Sequence, residues 1–101
     1  MIVYNITMKI ADGIKAEWLR WQKEEHIPDI MATGLFENFR IYHLLEQDEE
    51  EGATFVIQYF LSSAEKYREY SSIHAPQLRK KAFEKWGNQI TGFRTLMEAV
   101  Q

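Results

Sequence analysis

From Ile2 to Ile10 the chain alternates, with Ile2, Tyr4, Ile6, Met8 and Ile10 on one side and Val3, Asn5, Thr7 and Lys9 on the other. A period of two places successive side chains on opposite faces of a strand. The period then changes. Ile14, Trp18, Trp21 or Gln22, and Glu25 fall at helical spacing among good helix formers, with Asp12 placed to cap the segment. Pro28 has no backbone donor and biases Ile27 away from helical geometry. A kink or break is therefore expected near His26, and a new helical piece should start at Pro28 and run through Ile30, Met31 and Ala32 to Gly34.

Residues 35 to 46 are rich in β-branched and aromatic types and predict a second strand, closed by a solvated hairpin turn over Asp48 to Glu51 and Gly52. Thr54 to Leu61 alternates again, with Phe55, Ile57, Tyr59 and Leu61 opposite Thr54, Val56, Gln58 and Phe60. Ser62 and Ser63 offer caps for a second helix that carries Tyr67, Tyr70 and Leu78, kinks at Pro76 and ends near Gly87. Residues 89 to 99 predict a fourth strand, with Phe93, Met97 and Ala99 facing one way and Ile90, Arg94, Leu96 and Glu98 the other.

The two halves echo one another: each runs strand, helix, a His-x-Pro step, strand, and His26-Ile27-Pro28 lies 48 residues before His74-Ala75-Pro76. A duplicated β-α-β unit with right-handed crossovers gives an α+β fold of ferredoxin-like plan, βαββαβ. The expectation is one domain over residues 1–101, a four-stranded antiparallel sheet of order 4-1-3-2 and two helices on one face. The more apolar sides of strands one and three then lie under the helices. The other face is assigned Asn5, Gln58, Arg40, Tyr42 and, from the fourth strand, Arg94 and Leu96, among Val3, Leu44, Val56 and Phe60. That is too apolar for a solvated face, and a second copy of the same sheet is the expected cover, giving a homodimer. Its polar members then need partners from the other subunit, water or a ligand.

Composition narrows the partners. In 101 residues and 12.0 kDa, 12 basic against 15 acidic side chains give a net charge of -3, with no general attraction for nucleic acid or an anionic membrane. There is no cysteine, hence neither disulfide nor thiolate site. No signal-peptide pattern or membrane-length apolar run is present, and a cytoplasmic protein is expected.

The candidate chemistry is sparse. His26 and His74 are the most reactive side chains near neutral pH, each beside a helix break with free backbone groups, although a histidine there also serves simply to meet helix carbonyls. Glu24, Glu25, His26 and Asp29 lack the two same-face histidines of a zinc helix, so no metal and no cofactor are expected. His43 lies in a strand beside Phe39 and Ile41 and reads as a hydrogen-bonded core residue. A small-molecule pocket would form if Asn5, Gln58, Arg94, Tyr70 and His74 converge where the second helix crosses the sheet edge. Alternatively Trp18, Trp21 or Trp86 would be exposed anchors for a partner.

On Glu24-Glu25-His26-Ile27-Pro28-Asp29-Ile30-Met31-Ala32-Thr33-Gly34, and on Phe93-Arg94-Thr95-Leu96, the whole chain resembles a small uncharacterised bacterial family of unknown function, DUF4286-like. That resemblance implies a ferredoxin-like fold and no established activity. The stretch around His74-Ala75-Pro76 is similar to a His-x-Pro step of dimeric α+β barrel proteins of the EthD type. These include cofactor-independent monooxygenases, lactone isomerases and haem-degrading enzymes. The haem-degrading members use a first-strand Asn, a Trp and a helix His. Asn5 and His74 match two of these, while the nearest aromatics to the third are Tyr59 and Tyr67.

The resulting expectation is a homodimer that binds a small, partly apolar molecule, with Asn5, Gln58, Arg94, Arg40 and Tyr70 as ligand-binding residues. The alternative is a cofactor-independent monooxygenase or isomerase of the dimeric barrel type with His74 or His26 as base. The residues alone do not decide whether the protein is an enzyme.

Overall fold

In the computed structural model of residues 1–101, the alternating segments form β1 (Ile2–Ile10), β2 (Asn38–His43), β3 (Ala53–Leu61) and β4 (Ile90–Glu98). They build one antiparallel sheet of order β2-β3-β1-β4, the expected arrangement with β1 and β3 in the centre. Two helical arms cover one face. The first comprises α1 (Lys15–Trp21), a π turn over Gln22–His26 and α2 (Ile27–Met31). The second comprises α3 (Ala64–Glu69), a π turn over Tyr70–His74 and α4 (Ala75–Trp86).

The His-x-Pro steps widen each arm rather than breaking it. Proline cannot donate to the carbonyl four residues earlier, and its ring crowds that carbonyl. One inserted residue resolves both problems, because the Ile27 N–H bonds back to Gln22 O and the Ala75 N–H to Tyr70 O, each five residues away. A wider turn also lets consecutive Trp21 and Gln22 both face inward, and both are buried. Elsewhere the ends follow local chemistry. Ser63 Oγ accepts from the Lys66 N–H at 3.3 Å, and Gly87 closes α4 at φ 53°, where a side chain would be strained. Asp12 does not cap α1, whose first turn begins at Ile14 without a side-chain acceptor. The second strand is shorter than the 35–46 expected: Leu35 and Phe36 lie in the connection, and Phe36 is buried against Tyr4, Tyr59 and Tyr70.

Register fixes which side chains share a face, since directly opposed antiparallel residues point the same way. Tyr4 pairs with Tyr59 and Ile6 with Ile57 beneath the helices, while Asn5 pairs with Gln58 and Gln58 with Arg40 on the open face. On the other flank Ile6 pairs with Arg94 and Tyr4 with Leu96. Arg94 and Leu96 therefore lie on the helix-covered side, and Phe93, Thr95 and Met97 face outward with Asn5, the reverse of the sequence assignment. The core is the layer between sheet and helices, built on Tyr4, Ile57, Tyr59, Trp18 and Ile30, each almost fully buried. Burying an apolar side chain of this size contributes roughly 1.5–3 kcal/mol. Trp18, Trp21 and Trp86 are all in this layer, which overturns their reading as exposed partner anchors.

Candidate functional site

Packing between the helical arms and the sheet is incomplete. A cavity of about 260 Å³ remains, with 14 hydrophobic residues among the 20 lining it, just below the roughly 300–1,000 Å³ usual for ligand pockets. Its floor is Tyr4, Ile6, Met8, Ile57 and Tyr59 from the central strands, and its walls come from the first arm and from α4. Exposed Phe83, on α4, marks the side that opens to solvent. β4 can approach β1 closely because residue 92 is glycine: a Cβ at that position would stand 2.1 Å from Thr7 O.

Two groups of polar residues line this apolar space. The first arm supplies Trp18 Nε1, Gln22 Oε1 and His26 Nδ1, all shut off from solvent and all without a hydrogen-bond partner in the protein. The widened turn places Gln22 and His26 here, and the His26 ring stacks on Trp21 at 4.4 Å between centroids. Burial pushes the His26 pKa down to about 4 against the opposing pull of Asp29, so the imidazole is neutral at pH 7. The second group comes from the strands and the second arm: Tyr4, Tyr59, Tyr70, Arg79 and Arg94. Tyr59 Oη and Arg79 Nε are again buried and unpaired. Arg79 Nη2 donates to Tyr4 Oη at 3.2 Å. Burial opposes the Arg79 charge, but that hydrogen bond and the surrounding phenols outweigh it and hold the guanidinium above its ordinary range. Burial, and next to it Tyr4, raises the pKa of Tyr70, with Arg79 and Arg94 pulling it the other way. Both phenols, Tyr59 and Tyr70, stay protonated, each raised chiefly by burial.

The expected site residues thus divide between two places. Tyr70, Arg94 and His26 line the cavity. Asn5, Gln58 and Arg40 share one row of the open sheet face, where Gln58 Nε2 donates to Asn5 Oδ1 at 3.2 Å and Asn5 Nδ2 to Thr7 Oγ1 at 3.3 Å. The convergence of Asn5 and Gln58 with Arg94, Tyr70 and His74 does not occur, because the sheet separates the two sets. His74, half-buried against Tyr70, does not line the cavity. Asn5 and His74 on opposite sides of the sheet do not assemble the haem site of the dimeric barrel enzymes. No three or more His, Asp or Glu side chains gather in a metal-holding geometry. His43 is less buried than expected, stacked on Phe55 and 2.8 Å from Glu49. Gln22, Tyr59 and Arg79 are the residues that sequence reasoning missed. The one available signal was positional: Gln22 and Tyr70 each stand four residues before the His of a His-x-Pro step.

Compared with known proteins, residues 1–100 match the family described as Domain of unknown function (DUF4286). No functionally curated protein matches the chain. Solved structures share the fold. An ethyl tert-butyl ether d (EthD) family protein from Bacillus halodurans superposes with TM-score 0.72 at 13% identity, covering 99% of this chain and 100% of that one. A mutant form of SnoaB, a cofactor-independent oxygenase from Streptomyces nogalater, gives 0.69 at 12% identity, covering 99% and 94%. A dimeric ferredoxin-like protein from an uncultured marine organism gives 0.72 at 8% identity, covering 99% and 95%. At these identities the likeness is one of fold.

Proposed function

We propose that this chain, which belongs to the DUF4286 family of unknown function, is a homodimeric protein that binds a small, partly apolar molecule in the cavity between its helices and its sheet. One observation carries the reading: an apolar cavity is lined by residues of both arms and of β3 that hold buried donors and acceptors with no partner in the protein. A buried polar group left unpaired costs about 1–3 kcal/mol, and natural cores rarely leave several together. A ligand with polar substituents on a flat apolar body would satisfy them. The dimer rests on the open face, where two mixed apolar rows, Tyr42-Val56-Thr7-Phe93 and Asn38-Phe60-Val3-Met97, flank the polar row Arg40-Gln58-Asn5-Thr95. A second sheet laid on this face would cover the apolar rows and give the polar row partners across the two-fold axis.

An enzymatic reading, for which the cofactor-independent oxygenase SnoaB is the structural analogue, would need a base at the cavity. His26, neutral and facing the cavity, is better placed for that than His74. The binding reading needs no such step and is tested first. Titration calorimetry at pH 7 with 2-naphthamide, a flat neutral probe with a donor and an acceptor, should give one saturable site per protomer with a dissociation constant of about 0.1 mM or tighter. Ala82→Phe, which fills the cavity from α4, should weaken binding at least about tenfold. No saturable binding, or equal binding by the filled variant, would overturn the reading.

A further inference from the structure

We infer that the ligand of this cavity is an organic anion, a flat apolar acid whose carboxylate lies against Arg79 with Arg94 nearby, an assignment that rests on the cavity being a binding site. The cavity holds positive charge that nothing in the chain compensates. No Asp or Glu lines it, and the ion pairs of the structure join Lys81 to Glu25 and Asp29, and His43 to Glu49. Neither arginine has a carboxylate partner. Arg94 is exposed enough for water to solvate it, but Arg79 turns Nε inward, away from solvent and without an acceptor. Its single hydrogen bond goes to a neutral phenol, Tyr4.

Arg79 is only partly buried, but its Nε is shut off from solvent with no acceptor, and no carboxylate of the chain is paired with the guanidinium. Of the acceptors at hand, Tyr59 and Tyr70 hold their protons and His26 is neutral, so none supplies the negative charge. A carboxylate would accept from Arg79 Nε and the Tyr59 hydroxyl, both without a partner in the chain, and from the Tyr70 hydroxyl beside them, by charge-assisted bonds. The body of the acid would lie between aromatic walls that include Trp18 and Trp21, and Gln22 Oε1 would accept from a donor on it. The local sign also runs against the whole molecule, which carries -3. Two arginines and no carboxylate at one cavity of an acidic chain are therefore a specific feature, not a reflection of composition.

The test compares 2-naphthoate with its neutral isostere 2-naphthamide by calorimetry on the full chain at pH 7. The acid should bind about tenfold more tightly or better, the ratio expected of one charge-assisted contact. Arg79→Gln should bring the two probes to within about twofold of each other, and Arg79→Lys, which keeps charge without the fork, should retain a reduced preference. Equal binding of the two probes by the native chain would overturn the anion assignment while leaving the cavity reading intact. Preference undiminished in Arg79→Gln, or lost only in Arg94→Gln, would overturn the assignment to Arg79. Binding of neither probe would defeat the cavity reading and this inference together.

Discussion

At the scale of single residues, the cavity is defined by polar atoms that lack partners, and two of them make separable predictions. His26 is neutral when folded, with a pKa of about 4 against 6.5 for a free side chain. The unfolded chain then binds the extra proton between those values, so the His26 contribution is fully present above pH 6.5 and is lost as pH falls toward 4. The shift corresponds to roughly 3 kcal/mol at most. Urea unfolding at pH 7.5 and 4.5 should show a smaller loss in His26→Gln than in the native chain; an equal loss would place the histidine in a solvated setting. Tyr59→Phe removes a buried hydroxyl that has no acceptor or donor in the protein. The empty protein should become more stable by about 1 kcal/mol while 2-naphthoate binds more weakly, and reduced stability would mean that the hydroxyl is already satisfied. His26 was legible as a candidate because His-x-Pro is visible in the sequence. Arg79 was not, since Arg79-Lys80-Lys81 reads as a solvated basic run and only the helix phase set by the π turn directs Arg79 inward.

At the scale of elements, the strands and the broad course of the helices followed from hydrophobic period and punctuation, and the prolines correctly marked irregular helix. They could not specify that the irregularity is an inserted residue, because a break and a π turn answer the same missing donor. The inverted face of β4 has a similar cause. Phe93 and Met97 on one side and Ile90 and Leu96 on the other make both sides mixed, so alternation alone cannot decide which lies inward. Pairing with β1 decides it, through Ile10 opposite Ile90 and Ile6 opposite Arg94. That pairing depends on Gly92, where a methyl group would meet backbone atoms of Thr7 and Met8 rather than a yielding side chain. Gly92→Ala should destabilise the fold by about 2 kcal/mol or more and raise amide exchange along β4. An unchanged urea midpoint would show that the strand tolerates a shift.

At the scale of the whole molecule, two surfaces compete for the role of functional site, and the structure separates them by the thickness of the sheet. The sequence located Asn5, Gln58 and Arg40 on one face, but a ligand cavity arises from a deficit of packing between layers, which no pattern of residues along the chain records. The proposed dimer places a second copy on the open face. Phe60→Asp, in the middle of an apolar row, should convert a dimer to a monomer in sedimentation velocity at micromolar concentration, whereas a native chain that is already monomeric would contradict the assignment. Ligand binding is assigned to the other side of the sheet. That assignment is tested most directly by following the three indole N–H resonances and the backbone amides in heteronuclear NMR as 2-naphthoate is added. The Trp18 indole should shift first and saturably, together with amides around Gln22, His26 and Arg79, while the side-chain amide resonances of Asn5 and Gln58 on the far side stay put. Shifts confined to the Asn5 and Gln58 face, or no saturable shift of the Trp18 indole, would contradict it.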